Sequence, residues 1–173
     1  MPVVEIPGAA RTFALSETLQ SDELAPIFAD AWTASRVWDA SAFLSEHLVA
    51  FAAARRHPFA SLAPGTSTSN SRVLAPAVIE LGSGCGLVGI VAASLGADVL
   101  LTDQREAVEL LHRNAEANST TGDERSRLRV CEFVWGSDPA ATLPRTTFDC
   151  ILVSDCTLRC DWRESASERG SSP

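Results

Sequence analysis

Tyrosine is absent from this 173-residue chain, and basic residues are in short supply: 14 Lys and Arg stand against 22 Asp and Glu, a net charge of −8. A broad nucleic-acid footprint needs clustered cations to neutralise phosphates, so the balance excludes one while leaving a basic protein partner open. Cysteine is sparse and odd in number. The five at 85, 131, 150, 156 and 160 include no CxxC pair, which suggests neither a disulfide frame nor a metal site. Cys131 and Cys150 lie in apolar runs, where buried thiols are common. No apolar run approaches the roughly 18 residues of a membrane span. The opening "MPVVEIPGAARTFAL" carries Glu5 and no signal-like apolar stretch. These readings point to no nucleic acid, no membrane, and a reduced intracellular compartment, cytoplasmic with the nucleus as a second location.

What is present suits one globular domain: 46% of the residues are hydrophobic and 21% charged. Residues 1–36 read as an N-terminal arm with an early edge strand. "WDASAFLSEHLVAFAAARR" (38–56) predicts a helix with Ala42, Phe43, Leu48, Val49 and Ala52 on its apolar face. Asp39 or Ser41 would cap it, and the arginines at 55 and 56 suit its C-terminal end. Residues 57–72, rich in Pro, Gly, Ser and Thr, read as a loop. Then strand-like and helical stretches alternate: "PAVIEL", "GLVGIVAASLG" stopping at Gly96, "ADVLLTD", "QREAVELLHRNAEANS", "RLRVCEFVW" and "FDCILVSD". The helix over 104–119 would bury Ala107, Val108, Leu111 and Ala115. Such alternation predicts an α/β fold with a parallel sheet and right-handed crossovers. The polar, serine-rich stretch 159–173 reads as a disordered tail.

The chemistry is concentrated in "AVIELGSGCGLVGI" (77–90), where two glycine registers compete. Gly84, Gly86 and Gly89 spell GxGxxG, a dinucleotide fingerprint; Gly82, Gly84 and Gly86 spell GxGxG. The first glycine of a dinucleotide loop follows its strand directly, and here that glycine is Gly82. GxGxG is therefore the register, and Gly89 becomes a helix residue explained by close packing on the sheet. Glu80, an acid within a buried strand, gives a pyrophosphate nothing and suits a cationic ligand or a loop that needs orienting. In either register Asp103, at the end of the next strand, can accept both hydroxyl protons of a ribose; the alternative is that it caps the following helix.

"VWDA" (37–40), "VIELGSGCGLVGI", "LLTD", "LLHRNAEAN", "FVWG" and "FDCILVSD", in this order, resemble the class I S-adenosylmethionine methyltransferases. The nearer likeness is to methyltransferase family 16, the small methyltransferase-like protein-lysine methyltransferases, over roughly residues 30–158. The resemblance implies a Rossmann-like parallel sheet of the order 3-2-1-4-5-7-6, of which this chain supplies strands one to four, and a cofactor domain over 37–158. It implies that Gly82, Ser83 and Gly84 line the methionine and ribose part of S-adenosylmethionine and that Asp103 binds the ribose hydroxyls. Trp135 would lie beside the adenine, Ser154 would touch the cofactor through its backbone, and Trp38 would close over the site. Glu80 would meet the cofactor's amino group or orient the loop through backbone N–H groups, the second being favoured.

Methyl transfer to a protein lysine is the reaction the resemblance implies, with Asp155 as the acid that assists at the acceptor. The family sets an aromatic residue, often Tyr, three positions beyond that acid; here Leu158 stands there. That departure, and a sheet ending at its fourth strand, give a second expectation: a truncated product that keeps cofactor binding and lacks turnover. A nicotinamide-dependent oxidoreductase and a small-molecule methyltransferase are the further alternatives. The methyl acceptor and the oligomeric state are left open.

Overall fold

The computed structural model describes residues 1–17, 36–54, 75–154 and 156. The chain begins as a short antiparallel ribbon, β1 (Val3–Val4) against β2 (Phe13–Ala14). Helix α1 (Asp39–Ala53) follows. Then come β3 (Ala77–Leu81), α2 (Leu87–Ser94), β4 (Asp98–Asp103), α3 (Arg105–Asn118) and the short α4 (Gly122–Arg127). The last elements are β5 (Leu128–Glu132), the single turn α5 (Pro139–Thr142) and β6 (Cys150–Val153).

Strands β3 to β6 form one parallel sheet in the spatial order β5-β4-β3-β6. The parallel sheet is the one the alternating pattern predicts, and its order is the Rossmann-like 3-2-1-4 that the resemblance implies. The chain walks outward from β3 to β4 and β5, then returns to the other side of β3. Such a reversal opens a crevice beyond the carboxyl ends of the strands, where open α/β sheets bind ligands. The register puts Val78, Glu80, Val99 and Leu101 on one face, and α2 packs there with Leu87, Val88, Ile90 and Val91 almost wholly buried. Ile6, Phe13 and Leu15 join the same cluster, so residues 1–17, expected as an arm, also furnish part of the core.

The opposite face is covered less evenly. Leu100 and Ile79 are buried, whereas Ile151 and Val153 of β6 stand 61% and 50% exposed. Asp98 anchors the covering segment, accepting hydrogen bonds from Arg145 at 2.6 Å and Arg129 at 2.8 Å. Cys131 and Cys150 are accordingly only half-buried, not the buried thiols their apolar surroundings suggest.

Three local expectations are corrected. Neither Asp39 nor Ser41 caps α1; Trp38 takes the N-cap position without a side-chain cap. Phe43 faces outward, 63% exposed, stacked on His47 with ring centroids 4.2 Å apart. On α3, Val108 is only half-buried, and the buried face turns toward Leu110, Asn114 and Asn118. Helix α4 was not foreseen, although Thr121 and Glu124 form its reciprocal capping box. The arginines at 55 and 56, the 57–72 loop and the 159–173 tail lie outside the described residues.

Candidate functional site

Strand β3 ends at Leu81, and Gly82 is the first residue beyond it. Gly82, Gly84 and Gly86 adopt φ of 65°, 52° and 82°, left-handed values that a side chain disfavours. The left-handed residues thus fall in the GxGxG register. Space argues the same way: a Cβ on Gly82 would sit 2.6 Å from the Cys156 sulfur and 3.4 Å from the Trp135 ring. Gly89 is helical, and a Cβ there would strike Leu101 and the Glu80 carboxylate. Between the glycines, Ser83 is stitched to β4. Its N–H donates to the Thr102 carbonyl at 2.9 Å, and its hydroxyl oxygen accepts the Thr102 N–H at 3.1 Å.

Glu80 lies beneath this loop, 1% exposed and not among the residues lining the cavity. Its carboxylate accepts the Gly89 N–H at 3.0 Å, within the first turn of α2. That N–H has no partner inside the helix, so Glu80 fixes the angle at which α2 leaves the loop. Burial pushes its carboxyl up to about 8, against the lowering effect of the Gly89 hydrogen bond.

Asp103 closes β4 and faces the loop. One carboxylate oxygen accepts the Gly84 N–H at 2.7 Å and the other the Gln104 N–H at 2.7 Å. It does not cap α3, whose N-cap is Gln104 without a side-chain cap bond. Each carboxylate oxygen keeps a further lone pair for a ligand hydroxyl. Burial raises the Asp103 pKa, and the two backbone hydrogen bonds oppose that rise.

The glycine loop and Asp103 open onto a cavity of about 460 Å³, a size typical of small-ligand sites. Gly82, Ser83, Gly84, Asp103, Trp38, Trp135 and Ser154 all line it. Trp135 is 55% exposed, so it is a wall of the cavity rather than a core aromatic. Trp38 carries the Arg36 guanidinium over its ring at 5.4 Å. The Ser154 hydroxyl shares a 3.1 Å hydrogen bond with that of Ser41, tying α1 to the end of β6. Asp155 lies outside the described residues.

Sequence reasoning missed Cys156, Gln104, Phe133 and Ser41, which also line the cavity. Cys156 donates its thiol hydrogen toward the carbonyls of Leu81 and Ser154, at 3.1 Å and 3.2 Å. No local pattern marks such a residue; it is found only through its neighbours in space. Gln104 was legible in principle, since it follows Asp103 at a strand-to-helix step. Cys85 in the loop is buried, and burial with the charges of Glu17 and Asp103 pushes its thiol up to about 12, which disfavours the thiolate.

A parallel sheet with a glycine loop behind one strand and a carboxylate ending the next defines a Rossmann-like domain. Within that class, the sequence model of the lysine methyltransferase family matches residues 29–165, and the chain belongs to that family. It is 38% identical to mouse protein N-lysine methyltransferase METTL21A over 122 residues, covering 70% of this chain and 47% of that protein. It is 36% identical to mouse EEF1A lysine methyltransferase 3 over 105 residues, covering 61% and 36%. To Arabidopsis thaliana calmodulin-lysine N-methyltransferase it is 40% identical over 84 residues, covering 47% and 27%. The chain thus spans about half or less of the length of these relatives.

Proposed function

We propose that the cavity holds S-adenosylmethionine and that the chain's chemistry is methyl transfer to the side-chain amine of a protein lysine. The observation that carries this reading is Asp103, with a carboxylate oxygen on Gly84 and a face on the cavity. The residues present fit the cofactor. Left-handed glycines let a ligand approach the backbone, Asp103 retains lone pairs for ribose hydroxyls, and Trp135 offers an exposed aromatic wall for a base. Relatives named as lysine methyltransferases of EEF1A and of calmodulin support a protein lysine as acceptor.

The cofactor would supply an activated methyl group on a sulfonium centre. The chain's residues contribute placement and a dry surrounding. Gly82, Ser83 and Gly84 would seat the methionine and ribose part, Asp103 the ribose, and Trp135 the adenine. Trp38 and Ser154 would close the near side. A lysine acceptor must lose a proton before it can attack, a step that desolvation and a carboxylate favour. Asp155 is our candidate for that carboxylate.

The test is transfer of a labelled methyl group from S-adenosylmethionine into proteins of a cell lysate. The chain contains no lysine, so methyl-lysine label belongs entirely to the added proteins. Label on lysine is expected, and it should vanish with Asp103→Ala. A second reading, cofactor binding without turnover, draws on Leu158, which stands where the family sets an aromatic residue. Binding with no label on any protein would favour it.

A further inference from the structure

The "LLHRNAEAN" segment has no part in the cavity lining, yet two of its residues are its most deeply buried polar groups. Asn114 is 0% exposed and Asn118 5%. The Asn114 amide oxygen accepts the Ser16 N–H at 2.7 Å. Its amide nitrogen donates to the Ser16 carbonyl at 3.0 Å and to the Cys85 carbonyl at 3.0 Å. Asn118 treats Ala14 in the same way, accepting its N–H at 3.0 Å and donating to its carbonyl at 2.7 Å. The second Asn118 amide hydrogen goes to the Asn114 carbonyl at 2.8 Å.

The spacing explains the match. Side chains four apart on a helix stand about 5–6 Å from each other, and two residues of extended chain span about 6.6 Å. Two amides on α3 can therefore pair with Ala14 and Ser16 as an adjacent strand would. The difference lies in the third bond of Asn114, which reaches the middle of the glycine loop. A second route joins the same segment to the cavity. The Glu17 carboxylate accepts the Val37 N–H at 3.0 Å, and Val37 packs on Cys85 and lines the cavity next to Trp38.

We infer that Asn114 is a positioning residue for the cofactor loop and that residues 14–17 are part of the support of the site, coupled to it through Asn114 and through Glu17. The inference rests on the cavity being the cofactor site, but the coupling itself is measurable without a ligand. Ordering of the N-terminal segment holds the Asn114 amide in place, and that amide holds Cys85 between two left-handed glycines. Loosening the segment then loosens the loop.

The experiment is amide hydrogen exchange at Gly84, Gly86 and Gly89 of the ligand-free full chain, followed by titration with S-adenosylhomocysteine. Three variants are compared with the parent: Asn114→Ala, Asn118→Ala and Glu17→Ala, with Glu17→Gln as the conservative control. Among the described residues Asn118 bonds to none that lines the cavity, so it reports transmission rather than direct contact. Asn118→Ala and Glu17→Ala are expected to speed exchange in the loop by about threefold or more. Asn114→Ala should do so by about tenfold, and Glu17→Gln, which keeps an oxygen for Val37, should restore parental exchange. Affinity for S-adenosylhomocysteine should fall in the same order. Glu17→Ala keeps the test open if a buried asparagine variant fails to fold, because Glu17 is only half-buried. Unchanged loop exchange in Asn118→Ala and Glu17→Ala, with fraying confined to residues 11–17, overturns the coupling. A parent chain that binds no S-adenosylhomocysteine overturns the cofactor reading instead, and the exchange data still decide the coupling.

Discussion

The Asp103 carboxylate accepts the Gly84 N–H at 2.7 Å, so the end of one strand holds the loop that leaves its neighbour. The carboxylate we propose for the ribose therefore also shapes the backbone around it. Asp103→Asn keeps an oxygen acceptor but loses the charge, while Asp103→Ala loses both and frees the Gly84 N–H. Hydrogen bonds to charged groups contribute about 1.5–3 kcal/mol. Asp103→Ala should weaken S-adenosylmethionine binding by about tenfold or more, and Asp103→Asn by less. Calorimetric titration of the two variants checks the order.

Gly89 tests the packing of α2 on the sheet. A Cβ at this position meets Leu101, the Glu80 carboxylate at 2.7 Å and Val99 at 3.2 Å, all buried groups with little room to retreat. Overpacking of this kind costs about 1–3 kcal/mol. Gly89→Ala is expected to lower the thermal midpoint by several degrees, as read by circular dichroism. An unchanged midpoint would mean that α2 rides further from β3 and β4 than described.

Glu80 gives the fold a pH signature. Its carboxyl is raised to about 8 in the folded chain, while the unfolded chain exposes an ordinary carboxyl. Between those values the folded state retains a proton that the unfolded state has released. Stability therefore falls as pH rises through this window, by up to ~1.4 kcal/mol per pH unit, and the contribution levels off above about 8. Asp103, also raised by burial, adds a slope of the same sign. Urea unfolding across the window should show a shallower slope for Glu80→Gln than for the parent. Identical slopes would remove Glu80 from the account.

Trp135 separates a ligand wall from a core aromatic. The ring is 55% exposed, so its loss should cost little stability, within about 1 kcal/mol. Stacking against a base would be lost with it. Trp135→Ala should keep its melting temperature while its affinity for S-adenosylhomocysteine drops several-fold, measured by calorimetry so that the missing indole does not disturb the readout.

The parts of the site that were legible in the sequence are those set by local backbone demands. Gly82, Gly84 and Gly86 are spaced for a strand-to-helix turn, and all three take left-handed φ. Asp103 ends its strand and meets the loop. What could not be read depends on partners distant along the chain. Asn114 is a polar residue of an amphipathic helix, yet it is buried because Ser16, 98 residues away, and Cys85 supply its partners. Phe43 fitted the helical spacing and still faces outward, since periodicity marks a stripe without saying which side of it a neighbour covers. Cys156 enters the cavity only because β6 pairs with β3 and ends beside Gly82.

The central claim, that this glycine loop and Asp103 build an S-adenosylmethionine site, is tested most directly by titrating the full chain with S-adenosylhomocysteine and, separately, with NADH. The account predicts saturable one-to-one binding of S-adenosylhomocysteine, weakened by about tenfold or more in Asp103→Ala, and no heat with NADH. Saturable binding of NADH, or S-adenosylhomocysteine binding that survives Asp103→Ala undiminished, would contradict it.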